Sequence, residues 1–501
     1  QGKYDDAEPL YVRAITIGEK ALGPEHPDLA VWLNNRAGSV FDLHAQIRLY
    51  HVVHCIQGKY AEAEPLYERC QAIEEKVLGP EHPSLATTLN NRAGLLKSQG
   101  KFEEAQPLYE RSQAIREKVL GPEHPDVASS LNNRAELLRA QGRYAEADPL
   151  HLRAIEISER VMGADHPDFA ISLGARGQLL QAQGDYAGAE PLYRRAQEIF
   201  ETSFGPDHPH VATAISDRAR LLVSQGKYAE AEPLYERCQA IHEKALGPEH
   251  PHVATTLDNR AGLLKKQVRG KYDDAEPLYV RAITIGEKAL GPEHPDLAVW
   301  LNNRAGLLKT QGKYAEAEPL YERCQAIDEK VHGPDHPDVA ITLNNRAALL
   351  KSQGMYADAE TLYARATEIW EKALGPEHPS VATALNNRAE LLKSQVRAKP
   401  RFSMLLEDDF SRTFRRLHNC LDGPPPHSNS LLAMQGKFEE AESLYERSQA
   451  IREKVLGPEH PAVATVLNNR GGKYDEADPL YLRAIEIGEK TLGPDHPDLA
   501  T

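Results

Sequence analysis

Two apolar stripes alternate along this chain. Between Gly100 and Gln141, Leu131, Ala135 and Leu138 fall at i, i+4 and i+7, one face of a helix. Phe102, Ala105, Tyr109, Ser112, Ile115 and Val119 recur at steps of three and four and mark the inner face of a second helix. Two kinds of punctuation separate the stripes. Gln99-Gly100 supplies a tight turn in which glycine serves the end of a helix. Leu120 to Pro125 (LGPEHP) gives a glycine stop, then proline at the first helical position. Asp126 follows, where an acid suits the positive end of the helix dipole.

The pair of stripes recurs every 42 residues. Units open at Gly2, Gly58, Gly100, Gly142, Gly184, Gly226, Gly270, Gly312, Gly354, Gly436 and Gly472. A fixed period of this length marks a solenoid, because no unit buries its stripes without its neighbours. The register breaks at four places. The first unit carries extra residues at about 39–56, and Val268-Arg269 lengthens another. A 40-residue excess lies between Gln395 and Gly436, with a basic stretch and Pro424-Pro425-Pro426, and the penultimate unit lacks six residues before Gly471. The expected organisation is a repeat array over 1–395, a disordered insertion over 396–430 and a continued array over 431–501. Gln1 opens inside a helix pair and Thr501 closes inside another, so the chain reads as a piece of a longer array, truncated at its C-terminus.

With helix A starting at His-Pro and helix B at Gly-Lys-Tyr/Phe, the unit resembles a tetratricopeptide repeat. Leu89, Ala93, Leu96, Phe102, Ala105 and Tyr109 carry the large-small-large and aromatic-small-aromatic pattern of that motif. The longer period, the LGPEHP loop and the stretch Ala86 to Asn91 resemble the repeats of kinesin light chains. The resemblance implies an all-α fold, a right-handed α-solenoid of helix-turn-helix units. It also implies a non-catalytic scaffold for protein–protein interaction, with helix A lining a concave groove.

Composition narrows the partners. A formal charge of −15 disfavours a nucleic-acid backbone, and no apolar run is long enough to span a membrane. Cys70, Cys238 and Cys324 take the small-residue position of helix B and read as reduced, buried filler in a cytoplasmic protein.

Candidate binding residues lie on helix A. Asn90 and Lys97, seven apart, share a face set roughly opposite the buried stripe, with Gly94 leaving it open. The amide recurs at Asn132, Asn302, Asn344 and Asn386, and the cation at Arg139, Lys265, Lys309, Lys351 and Lys393. Amides hydrogen-bond a peptide backbone both ways, and cations favour acidic side chains or a terminal carboxylate. With the carboxylates on helix B, the groove is expected to be basic although the chain is acidic. Gly174 with Gln181, and Ser216 with Val223, interrupt this ladder and divide it into two parts.

Other recurrent residues read as structural. Arginine two places after each ladder amide, as at Arg92 and Arg134, is expected to lay its stem on apolar surface and pair with a helix B glutamate. Each His-Pro motif has one histidine, with its nearest copies on other units, so helix capping is expected and no metal or other cofactor. No phosphate-binding glycine loop or nucleophile–base pair stands out from the periodicity, which argues against an enzyme. The expected ligand is an extended, acidic peptide. Resemblance to kinesin light chains suggests cargo adaptation, with cargo or a kinesin heavy chain as partner; the alternative is the sensor arm of a signalling NTPase.

Overall fold

The computed structural model describes residues 4–41, 60–267, 271–397, 428–471 and 477–492, all in helices and the short turns between them. Most of the extra residues at about 39–56, Val268-Arg269 and most of 396–430 lie outside these residues. The chain divides into two compact units, Gln1–Val339 and Ala340–Thr501.

The first unit comprises α1 (Tyr4–Leu22), α2 (Pro27–Phe41), α3 (Tyr60–Val77), α4 (Pro83–Ser98), α5 (Phe102–Leu120), α6 (Pro125–Ala140) and α7 (Tyr144–Met162). It continues through α8 (Pro167–Ala182), α9 (Tyr186–Phe204), α10 (Pro209–Ser224), α11 (Tyr228–Leu246), α12 (Pro251–Lys266), α13 (Tyr272–Ala289), α14 (Pro295–Thr310) and α15 (Tyr314–His332). The unit boundary falls within α16 (Pro337–Ser352). Beyond it lie α17 (Tyr356–Leu374), α18 (Pro379–Arg397), α19 (Ser428–Leu456), α20 (Pro461–Arg470) and α21 (Ala477–Leu492). Even-numbered helices up to α18, and α20, are the A helices; the others are B.

Each helix is set by local chemistry. In all ten described copies the histidine before proline is the N-cap, its Nδ1 accepting the N–H two residues on at 3.0 to 3.3 Å. The capping reading therefore holds. The A helices end as the Gln-Gly pairs imply. Gly100 at φ 72° donates its N–H to Lys97 O, and Lys101 donates to Leu96 O, closing the last turn.

The stripes pack as three-helix cores. Ala37 on α2, Tyr60, Ala63 and Tyr67 on α3 and Leu95 on α4 form one cluster, and the pattern repeats down the array. Alanines at 0% exposure let the helices approach, and tyrosines such as Tyr67, Tyr193 and Tyr279 fill the space beside them. Cys70, Cys238 and Cys324 are buried and free, as expected. Val119 departs from the predicted stripe: it lies in the last turn of α5 and is 46% exposed.

Two irregularities are visible. Helix α20 has 10 residues where the other A helices have 15 to 19, which absorbs the missing six. Helix α19 runs unbroken through Gly436, where the repeat pattern places a turn. Elsewhere that turn exists because an A helix ends immediately before it; here 40 residues separate Gln395 from Gly436.

Within the first unit the array meets itself again six repeats along. Val331 packs on the Tyr60–Tyr67 cluster, and His336 Nε2 donates to Ser98 O at 3.1 Å. A Cβ on Gly100 would stand 2.9 Å from Pro337 Cδ, so glycine is needed there for contact as well as for its φ.

Candidate functional site

The recurrent arginines sit as the sequence implies, 20 to 27% exposed and bonded to the preceding B helix. Arg92 donates to Glu68 and Gln71, and Arg134 to Glu110 and Gln113. They belong to the frame and not to a ligand site.

The ladder amides are more enclosed than their spacing suggests. Asn90 Oδ1 accepts from Asn133 Nδ2 at 2.8 Å, Asn344 Oδ1 from Asn387 at 3.0 Å and Asn386 Oδ1 from Asn469 at 3.1 Å. Asn132 bonds Ser172 Oγ at 2.9 Å and His151 Nδ1 at 3.0 Å. Asn302 is half-buried, while Asn344 and Asn386 are 8% and 5% exposed. The position opposite the B helix is thus not open solvent. Consecutive A helices approach there, and short amides bridge them.

The cations differ among themselves. Arg139 is held by Glu136 on its own helix at 2.6 Å. Lys351 stands 3.9 Å from Glu390 and Lys393 3.4 Å from it, and Lys393 also covers the Tyr445 ring at 5.3 Å. On α10, where Ser216 and Val223 replace the ladder residues, the buried Asp217 pairs with the partly exposed Arg220. A carboxylate four places after the amide, as at Glu136 and Glu390, was the sequence signal for this neutralisation. Glycine stands there instead at Gly94, Gly262 and Gly306, so no carboxylate comes from that position.

The Lys97 and Lys265 ammonium groups make no ion pair or hydrogen bond among the described residues. Burial pushes the Lys97 ammonium below its ordinary value, with Glu136 opposing and Arg139 adding to the shift. At Lys265 burial, then Lys309 and Lys266, bring the group down to about 8 against the attraction of Asp258. Its Nζ lies over the Gly306 notch, 2.9 Å from where a Cβ would stand, with the Tyr321 hydroxyl beside it. Asp258 occupies the ladder position on α12, 7% exposed, with Oδ2 accepting from Asn303 at 2.9 Å and Oδ1 without a partner. Burial raises its carboxyl to about 7, with Asn303 and Lys265 opposing. Lys265, half-buried, thus stands in a cationic surrounding made with Lys266 and Lys309.

Histidines outside the His-Pro motif stand beside it at three places. His208 and His250 are followed two places on by His210 and His252, and His332, His336 and Asp338 converge in one cluster. His332 replaces the leucine of other units, outside the His-Pro motif, so a motif-by-motif count passes over it. No helix among the described residues is long and apolar enough to cross a membrane.

A tetratricopeptide repeat model matches 43–118, 84–160, 126–202, 168–238, 211–267, 266–330, 298–372, 338–397 and 430–472, and a second matches 1–28 and 463–498. Two solved structures show TPR-like, nearly identical repeats of a Podosopora anserina protein named for kinesin light chain. One is 26% identical, covering 41% of this chain and 97% of its own, with a TM-score of 0.36. The other is 25% identical over the same shares, with a TM-score of 0.34. BtubC (BKLC) from P. vanneervenii is 24% identical, covers 46% of this chain and 92% of its own, and scores 0.39. No relative is found among the curated proteins.

Proposed function

Because this chain belongs to the tetratricopeptide repeat family, we propose that its protein-interaction scaffold captures an extended, acidic segment of a partner along the A helices. Lys265 and Lys309 would take the segment's carboxylates, with Lys97 as a second anchor. Asn302 and the partly exposed amides beside it would meet the peptide backbone. Arg139, Lys351 and Lys393, already facing carboxylates, would contribute less.

The observation that supports this reading is the state of Lys265. A half-buried ammonium pressed by Lys309 and Lys266 costs the fold energy, and an incoming carboxylate relieves that cost. A charge held at a disadvantage in the free protein is one a ligand stabilises, which fits a site more than a solvated face. The fuller form of the reading is a kinesin light chain-like cargo adaptor, resting on the repeat length and the LGPEHP loop alone.

A fluorescein-labelled, glutamate-rich peptide titrated with the full chain tests it by anisotropy. The expected result is binding that weakens with salt, at least about tenfold weaker for a serine-substituted peptide and for K265E/K309E. Reversal of two B-face lysines, K118E/K288E, serves as the charge-matched control and should change affinity little. Equal binding of both peptides, or an unaltered K265E/K309E, overturns the reading.

A further inference from the structure

One residue at the seam where the first unit meets itself departs from the repeat. Position 332 holds histidine where Leu78, Leu120, Met162 and Phe204 stand in other units. It ends α15, Gly333 turns the chain at φ 90°, His336 caps α16, and Asp338 lies in the first turn of that helix. The two imidazoles stack with centroids 4.3 Å apart and 19° between planes. Asp338 Oδ2 lies 3.8 Å from His332 Nε2 and 3.5 Å from His336 Nδ1, and one ligand atom from each residue falls within 4.8 Å of the others. Donors around a tetrahedral ion at 2.0–2.2 Å stand about 3.4 Å apart, so small side-chain shifts complete the arrangement.

Two further observations point to a ligand. The His332 side chain is 5% exposed yet makes no hydrogen bond among the described residues: Nδ1 has no partner there, and Nε2 stands too far from Asp338 for one. Nε2 is the nitrogen on the Asp338 side, so an ion between the two residues would be met by its lone pair. His336 already has the outer contact usual for a ligating histidine. Its Nε2–H points to the Ser98 carbonyl at 3.1 Å, which fixes the tautomer and leaves the Nδ1 lone pair toward Asp338.

The geometry points to a site for a divalent transition-metal ion, zinc by its donor set, held by His332, His336 and Asp338. Two imidazoles and one carboxylate suit zinc and its neighbours, whereas calcium and magnesium take oxygen. Asp338, half-exposed, gives the way in, and water would complete the coordination. The ion would take the lone pair that now accepts the Asp338 N–H, so it replaces the helix cap at this one position. It would bind the α15–α16 turn in the arrangement that meets Ser98 on α4 and Tyr60 on α3, whose ring lies 5.4 Å from that of His332.

The test is calorimetric titration of the chelator-stripped full chain with zinc, with cobalt(II) absorption as a report of ligand geometry. One tight site per chain, a tetrahedral cobalt spectrum and a raised melting temperature are expected. His332→Leu installs the residue that other units carry; it should fold and bind zinc at that site at least about a hundredfold more weakly. Asp338→Asn should weaken it about tenfold or more, and is the variant to read if H332L melts differently in chelator. The proposal fails if H332L and D338N both keep the wild-type affinity, or if the wild-type chain takes up zinc only weakly across its many histidines.

Discussion

Asp258 and Lys265 show how single residues in this array trade stability against recognition. Asp258 is a carboxylate where other A helices carry asparagine, and burial raises it to about 7 from an ordinary value of 3.8. The folded protein therefore holds a proton that the unfolded chain releases between those values, and stability falls as pH rises through that window. Asp258→Asn should be more stable than wild type by about 2 kcal/mol above pH 7 and nearly equal to it near pH 4, measured by denaturant melts across pH. Lys265 titrates in the other sense. Its folded value of about 8 lies below the ordinary 10.5, so the cost of its charge is fully present below pH 8 and fades as pH approaches 10.5. Lys265→Met should raise the melting temperature at pH 7, lose that advantage above pH 10 and bind acidic peptide at least tenfold more weakly. A variant that is stabler yet binds less separates a ligand residue from a structural one.

At the scale of the helix the two faces of the array are joined by side chains of different reach. Consecutive A helices are bridged by paired amides, as in Asn133–Asn90 and Asn387–Asn344. Consecutive B helices are bridged by arginine and glutamate, as in Arg69–Glu19, Arg111–Glu75 and Arg281–Glu243. The amides demand close approach, and the longer ion pairs accept a wider gap. In a double-mutant cycle, Asn344→Ala and Asn387→Ala should show a coupling of about 1 kcal/mol, whereas the more exposed Arg111–Glu75 should give less than about 0.5 kcal/mol. The helices themselves were legible, because caps, glycines and apolar spacing are local signals. The amide pairing was not. Spacing places Asn90 and Asn133 on a face, but only the distance between neighbouring helices decides whether that face is open or closed. Glu136 and Glu390 were readable in the sequence at the position of Gly94, and their neutralising effect follows once that position is compared across units.

For the molecule as a whole, periodicity carried the fold class and tetratricopeptide membership, since each unit repeats the same instructions. It was silent on contacts between distant repeats. Ser98 and His336 lie 238 residues apart, and no pattern of three, four or 42 announces their meeting. His332 was visible as an exception to the repeat, yet its meaning depends on that meeting. The central claim is that the A helices around Lys265 and Lys309 receive an acidic segment. Hydrogen exchange of the full chain with and without a saturating glutamate-rich peptide tests it most directly. Slowed exchange concentrated in α12 and α14, absent in K265E/K309E, is the predicted result. Protection confined to B helices, or none under saturating peptide, would contradict it.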